Sequence, residues 1–215
     1  MHIPDGILPA KICIAGYAIA SGVTWYSLRQ IDRQPDSHAQ IPKASLLTAG
    51  FFVASWIHIP IPPVSVHLIL NGLLGTVLGY YAFPAIAIGL FFQAVMFGHG
   101  GLSTLGVNAT MMGVPALISY HLFQWRYPFV KRWGSWASNL FAFFAGAIGL
   151  GLAALIFFSL VITTIPEGFD DRTERGAIYG LILAHLPLMA IEGAFTAMLV
   201  GFLQRVKPEL IEDRR

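Results

Sequence analysis

The chain has 215 residues, 56% of them hydrophobic and 11% charged, with a net charge of +2. Soluble domains carry roughly a quarter charged residues, so the composition excludes an ordinary soluble fold. The small positive balance reflects loop placement and excludes a nucleic-acid-binding surface. The lone cysteine, Cys13, excludes an internal disulfide, and no CxxC pair offers a zinc site.

The chain opens Met1-His2-Ile3-Pro4-Asp5-Gly6, with no charged n-region and no signal-peptide pattern. Seven spans are predicted after it. The first covers about 9–28, with Pro9 suited to a first helical turn, and a polar loop from Arg29 to Lys43 follows. From Ala44 to Trp125 there is no Asp, Glu, Lys or Arg over 82 residues, enough for about four spans of roughly 20 residues. Within it the second span runs about 44–58 and stops at Ile59-Pro60-Ile61-Pro62-Pro63, which cannot continue a helix. The third runs about 67–81, the fourth about 85–97 and the fifth about 105–125. Gly98-His99-Gly100-Gly101-Leu102-Ser103 reads as a turn or re-entrant segment between the last two. A basic loop, 126–134, precedes the sixth span at 135–165, and an acidic-leaning loop, 166–175, precedes the seventh at about 176–203. The fold class is therefore all-α, a polytopic membrane protein with seven transmembrane helices. Residues 1–215 form a single domain, comprising an N-terminal segment (1–8), the spans and a tail (204–215).

Lys and Arg set the orientation. Ten of the thirteen lie in the 29–43 loop, the 126–132 loop and the tail, whereas Lys11, Arg172 and Arg175 fall on the other side. The tail is expected in the cytoplasm and the N-terminal segment outside. Gly16 with Ala20, Gly50 with Ala54, Ala142 with Gly146 and Gly149 with Ala153 repeat small residues every fourth position, a spacing that lets helices pack closely or dock a partner.

An amine followed by histidine is a chelating unit. The Met1 amine, the deprotonated His2 amide and His2 Nδ1 bind one metal in fused five- and six-membered rings. Such a near-planar nitrogen set suits Ni(II) or Cu(II) rather than tetrahedral Zn(II). The bland alternative is a histidine that merely follows the start. His67, expected on the same side, supplies a fourth nitrogen or else packs at an interface. His58 is the second choice for that donor. His99 either guides or excludes the metal or serves its turn, and His38 and His121 read as solvated or interfacial. Asn71, Asn108 and Ser65 are expected to orient ligands. His185 and Glu192, seven positions apart in the last span with Pro187 between them, either relay protons or satisfy groups such as Asn71, Gln93 or Asn108. No HExxH, GxSxG or phosphate-binding GxxxxGK[ST] motif occurs, so the chain is expected not to be an enzyme and any active uptake must borrow its energy.

Three segments together resemble the CbiM/NikM family: the opening hexapeptide, Pro60-Ile61-Pro62-Pro63-Val64-Ser65-Val66-His67-Leu68, and Gly98 through Asn108. The family comprises the substrate-binding membrane components of energy-coupling-factor transporters for cobalt and nickel. The resemblance implies a six-helix core with an added N-terminal helix, a place in the cell membrane, and metal binding by Met1, His2 and His67. It implies a transmembrane coupling subunit, two ATP-binding subunits and often a small accessory membrane subunit as partners, with Ni2+ or Co2+ as the transported ion. The main alternative is a stand-alone proton-coupled metal permease, in which His185 and Glu192 are essential. A metal-dependent intramembrane hydrolase would need an open coordination position and a general base, which a closed four-nitrogen site lacks.

Overall fold

The computed structural model describes residues 1–61, 64–164 and 171–211, without the side chains of 58–66 and 171–179. Its described residues are mainly helical: α1 (Ala10–Asp32), α2 (Ile41–Ala54), α3 (Asn71–Leu78), α4 (Ala82–Phe97), α5 (Leu105–Gln124), α6 (Tyr127–Trp133), α7 (Ser135–Thr163) and α8 (Asp171–Val206). One departure from an all-α chain is a ribbon of β1 (His58–Ile61) and β2 (Val64–His67), antiparallel, with His58 opposite His67. Pro60 pairs with Ser65 in that ribbon, which a two-stranded ribbon tolerates because each strand keeps an open edge. A second departure is α6, a short helix where a basic loop was expected. Pro128 sits in its first turn and Gly134, at φ 62°, ends it.

The expected third span is the most altered. His67 lies in β2, not in a helix, and α3 begins only at Asn71. Leu70 adopts a left-handed backbone, φ 56°. The N–H groups of Ile69 and Leu70 donate to the Glu192 carboxylate of α8. At its other end α3 stops at Gly79, φ 59°, and a 3-10 turn, Gly79–Tyr81, leads into α4.

Among the described residues, three stretches are long and apolar enough to cross a membrane: Asn71–Phe97, Ser135–Thr163 and Gly180–Val206. The first is not one crossing. A straight helix of that length would run about 40 Å, yet the rings of His67 and His99, which flank it, lie 5.4 Å apart. The α3–α4 unit is a hairpin whose two ends meet.

Polar contacts define the end of the molecule opposite those histidines. Lys43 Nζ donates to the carbonyls of Val77 and Leu210, both at 3.1 Å. Arg126 donates to the carbonyls of Phe123 and Ile211, and the Tyr81 hydroxyl donates to the Ser37 carbonyl. Helices α1 to α5, α7 and α8 run alternately between this basic end and the histidine end.

The core lies where α3, α4 and α5 meet α7 and α8, around Leu74, Phe83, Ile86, Met111, Met112 and Leu188. Small residues permit the closest approaches. A side chain at Gly75 would collide with the Ala116 carbonyl, and Gly149 lies against Gly72 and Ser119. Gly16 and Gly146 likewise face Val107 and Thr196, whereas Gly50 faces open space. The outer surface is apolar: Leu46 and Met198 are each 73% exposed. All five tryptophans are exposed. Trp125, Trp133 and Trp136 cluster near the basic end, and Trp25 stacks under the Arg29 guanidinium at 4.5 Å. Amphipathic aromatics at such levels suit a membrane–water boundary.

Candidate metal centre

Residues 1–8 thread into the histidine end and are held there along their length. Asn108 grips Ile3 like a neighbouring strand: its Oδ1 accepts the Ile3 N–H at 3.0 Å, and its Nδ2 donates to the Ile3 carbonyl at 3.0 Å. The Thr104 hydroxyl donates to the same carbonyl at 2.6 Å. The Ile3 side chain is buried beside Leu8, Cys13 and Val107. Cys13 thus packs as a small apolar residue. Two residues on, the Asp5 carboxylate accepts the N–H groups of Leu102 and Ser103 and the Ser103 hydroxyl. It thereby caps the turn that opens α5, where free N–H groups attract an anion. Those bonds, the Ser103 hydroxyl's first, hold the Asp5 carboxyl below its usual pKa. Gly101 has to be glycine here, because a side chain would strike Asp5.

The turn after α4 brings in a further histidine. Gly98, at φ 61°, ends the helix, and the His99 N–H folds back to the Gln93 carbonyl at 3.1 Å. Gly100, φ 90°, then lets the loop lie against His2. One imidazole nitrogen from each of His2, His67 and His99 lies within 4.8 Å of the other two. The His99 ring stands edge-on to His2 at 4.2 Å.

The donor atoms are prepared for a cation. His67 Nδ1 donates to the Leu68 carbonyl at 3.1 Å, which leaves Nε2 as an acceptor. That Nε2 lies 2.8 Å from the Met1 amine. His2 Nε2 lies 2.9 Å from Gln93 Oε1, while His2 Nδ1 is buried with no partner. The His2 backbone N–H donates to no acceptor among the described residues. Buried polar groups are nearly always paired, and the unpaired His2 Nδ1 is the ring atom that a chelate through the His2 amide requires.

Burial lowers the Met1 amine from 8.0 to about 5, opposed by the charge of Glu192. It also holds the His2 imidazole well below 6.5, reinforced by the charge of the Met1 amine and by His99 and His67. The sign follows. An unfolded chain takes up a proton on the amine below about pH 8, and the folded chain does so only below about 5. Keeping the N-terminal segment seated therefore becomes more costly as pH falls through that window. At neutral pH neither the amine nor the His2 imidazole carries the added proton of its charged form, and of the His2 donors only the amide must still lose a proton to bind a metal. Nickel affinity is expected to fall about tenfold per pH unit from neutrality to about pH 5, and more steeply below it. A competition titration with proton release measured in two buffers checks this, and a flat affinity between about pH 5 and 8 rules out an amide-containing chelate.

The remaining sequence candidates are placed as follows. Asn71 is fully buried, but away from the histidines. Its Nδ2 donates to the carbonyls of Met112 and Gly149, and its Oδ1 accepts the Gly72 N–H, so it braces α3 against α5 and α7. Asn108 holds the backbone one residue after His2. The side chains of Ser65 and His58 lie outside the described residues. His185 Nδ1 bonds to the Leu181 carbonyl of its own helix, and Glu192 bonds to Ile69 and Leu70, so among the described contacts the two form no relay. Sequence reasoning overlooked Gln93 and Asp5 as site residues and did not bring His99 to the centre. The run of glycines flanking His99 was the available signal, since it marks a close backbone approach.

A family model described as the cobalt uptake substrate-specific transmembrane region, CbiM, matches residues 2–210. A Haemophilus influenzae protein named for metal transport is 32% identical over 98% of this chain and 97% of its own length. The fused nickel transport protein NikMN of Rhodobacter capsulatus is 31% identical over all of this chain, which spans 65% of that longer protein. A crystal structure of a transition metal transporter superposes with a TM-score of 0.78 at 25% identity, over 96% of this chain and 93% of that one.

Proposed function

Because the chain belongs to the CbiM family, the substrate-specific transmembrane region of cobalt uptake, we propose that it captures Ni2+ or Co2+ outside the cell membrane and delivers it inward with ATP-hydrolysing partner subunits. The observation that carries this reading is the donor set. The Met1 amine sits 2.8 Å from His67 Nε2, and the His2 amide and buried His2 Nδ1 are left without partners. These four nitrogens make a planar site, with the His2 amide opposite His67. Planarity favours nickel, and cobalt tolerates the same donors. His99 stands beside the ring of donors as a guide to entry.

In this reading the seven helices that alternate between the two ends each cross the bilayer. The end that carries Arg29, Arg33, Lys43, Arg126, Lys131, Arg132, Arg205 and Lys207 faces the cytoplasm. Residues 1–8 and the metal site face outward. The chain has no phosphate-binding loop, so binding and uptake are separate tasks, the second belonging to a coupling subunit and ATPases.

Purified alone, the protein is expected to bind one nickel ion per chain, with the absorption bands of planar Ni(II), and to pump none. In vesicles, uptake requires the coupling and ATPase subunits and stops when ATP hydrolysis is blocked. Accumulation of nickel by this chain alone, driven by a proton gradient, would replace this reading with a secondary permease.

A further inference from the structure

Gln93 has no place in the donor set, yet it is fully buried one turn before the end of α4. Its Oε1 lies 2.9 Å from His2 Nε2. An amide oxygen only accepts, so this bond places the single proton of neutral His2 on Nε2 and leaves the Nδ1 lone pair bare. A chelate that already uses the Met1 amine and the His2 amide closes its six-membered ring through Nδ1 and no other atom. The opposite amide orientation would direct N–H at Nε2, drive the proton to Nδ1 and shut the ring. The same residue's backbone carbonyl takes the His99 N–H, so Gln93 ties the His2 ring and the His99 turn to one point on a rigid helix.

We propose that Gln93 is the positioning residue for the metal site, fixing His2 as its Nε2–H tautomer so that Nδ1 is presented to the ion. This rests on the nickel or cobalt reading above, but its first consequence concerns the metal-free protein. His67 is held the other way round, with the proton on Nδ1 through the Leu68 carbonyl. The two imidazoles are thus preset in opposite tautomers, one by a side chain and one by a backbone group. Only the first is open to a point substitution. Partners that orient a metal-bound histidine typically contribute 10–100-fold to affinity.

The test compares the wild type with Gln93→Met, which keeps the shape and removes the acceptor, and with Gln93→Glu, which keeps an acceptor. Nitrogen NMR of ring-labelled histidine in the metal-free protein reads the tautomer, and titration with nickel reads affinity. Expected are Nε2–H for His2 in the wild type and in Gln93→Glu, and a mixture in Gln93→Met with nickel affinity lowered about 10–100-fold. Gln93→Glu should restore binding to within about threefold. A wild-type His2 protonated mainly on Nδ1 overturns the proposal without any variant, as does a Gln93→Met protein that keeps both the tautomer and the affinity. If the tautomer follows the variants while no form binds nickel or cobalt, Gln93 still sets the His2 tautomer and the transport reading fails.

Discussion

Blocking the Met1 amine, by acetylation or by a tag, is expected to lower nickel affinity by at least about 100-fold, as much as His2→Ala. Acylation converts the amine into a second amide, whose proton is far harder to remove. It also needs room that is absent, for the Met1 nitrogen is buried and lies 2.8 Å from His67 Nε2. The effect should exceed the roughly 10–100-fold that follows loss of a residue that only orients a ligand. The clean comparison uses a cleavable N-terminal tag, with calorimetry before and after removal and mass spectrometry to confirm that the chain then begins at Met1. A tagged protein that binds nickel as tightly as the cleaved one would falsify the amine as a ligand. The fold itself should tolerate the change better than the site does, because Asn108, Thr104 and Asp5 grip residues 3 and 5 independently of the amine.

His67→Ala is expected to be equally severe, again about 100-fold or more, and to shift the nickel absorption bands as water or His99 takes the vacated place. His67 Nε2 is already directed at the Met1 amine by the bond from Nδ1 to Leu68, so its loss removes a donor that needed no reorientation. His99→Ala should cost much less, since His99 borders the donors without completing the square. Titration of the two variants side by side decides the matter. Should His99→Ala prove the more damaging, the fourth donor is His99 and the site is not the planar one described.

Much of this centre was legible from residue chemistry. Met1 and His2 stood out because an amine, an amide and an imidazole in consecutive positions close two chelate rings with no help from the fold. The rest depended on contacts between distant segments. His67 was readable as a candidate donor but not as a strand residue: the N–H groups that follow it bond to Glu192, 123 positions away from Ile69. A carboxylate in an apolar helix suggests function in a sequence, and here it serves as the anchor of a neighbouring loop. Asn71 was misplaced for the same reason, because with α3 starting later it faces Met112 and Gly149. His99 was undecidable without the left-handed turn at Gly98. The membrane class needed only composition, whereas the hairpin nature of 71–97 needed the two histidines at its ends to be seen together.

The bonds that seat the N-terminal segment also impose an order of events on biosynthesis. His2 reaches Gln93 across 91 positions, Asp5 reaches Ser103 across 98, and Ile3 reaches Asn108 across 105. A ribosome adding roughly 5–20 residues per second makes the chelating end several seconds before any of its partners. The carboxylate that steadies the His67 loop comes later still, in the last long helix. A growing chain therefore carries the chelating peptide before the segments that hold it, and the carboxylate that anchors the His67 loop is made only within α8. A chain cut short before Glu192 keeps the amine, amide and imidazole of its first two residues but loses that anchor, and should hold nickel less tightly than the full chain.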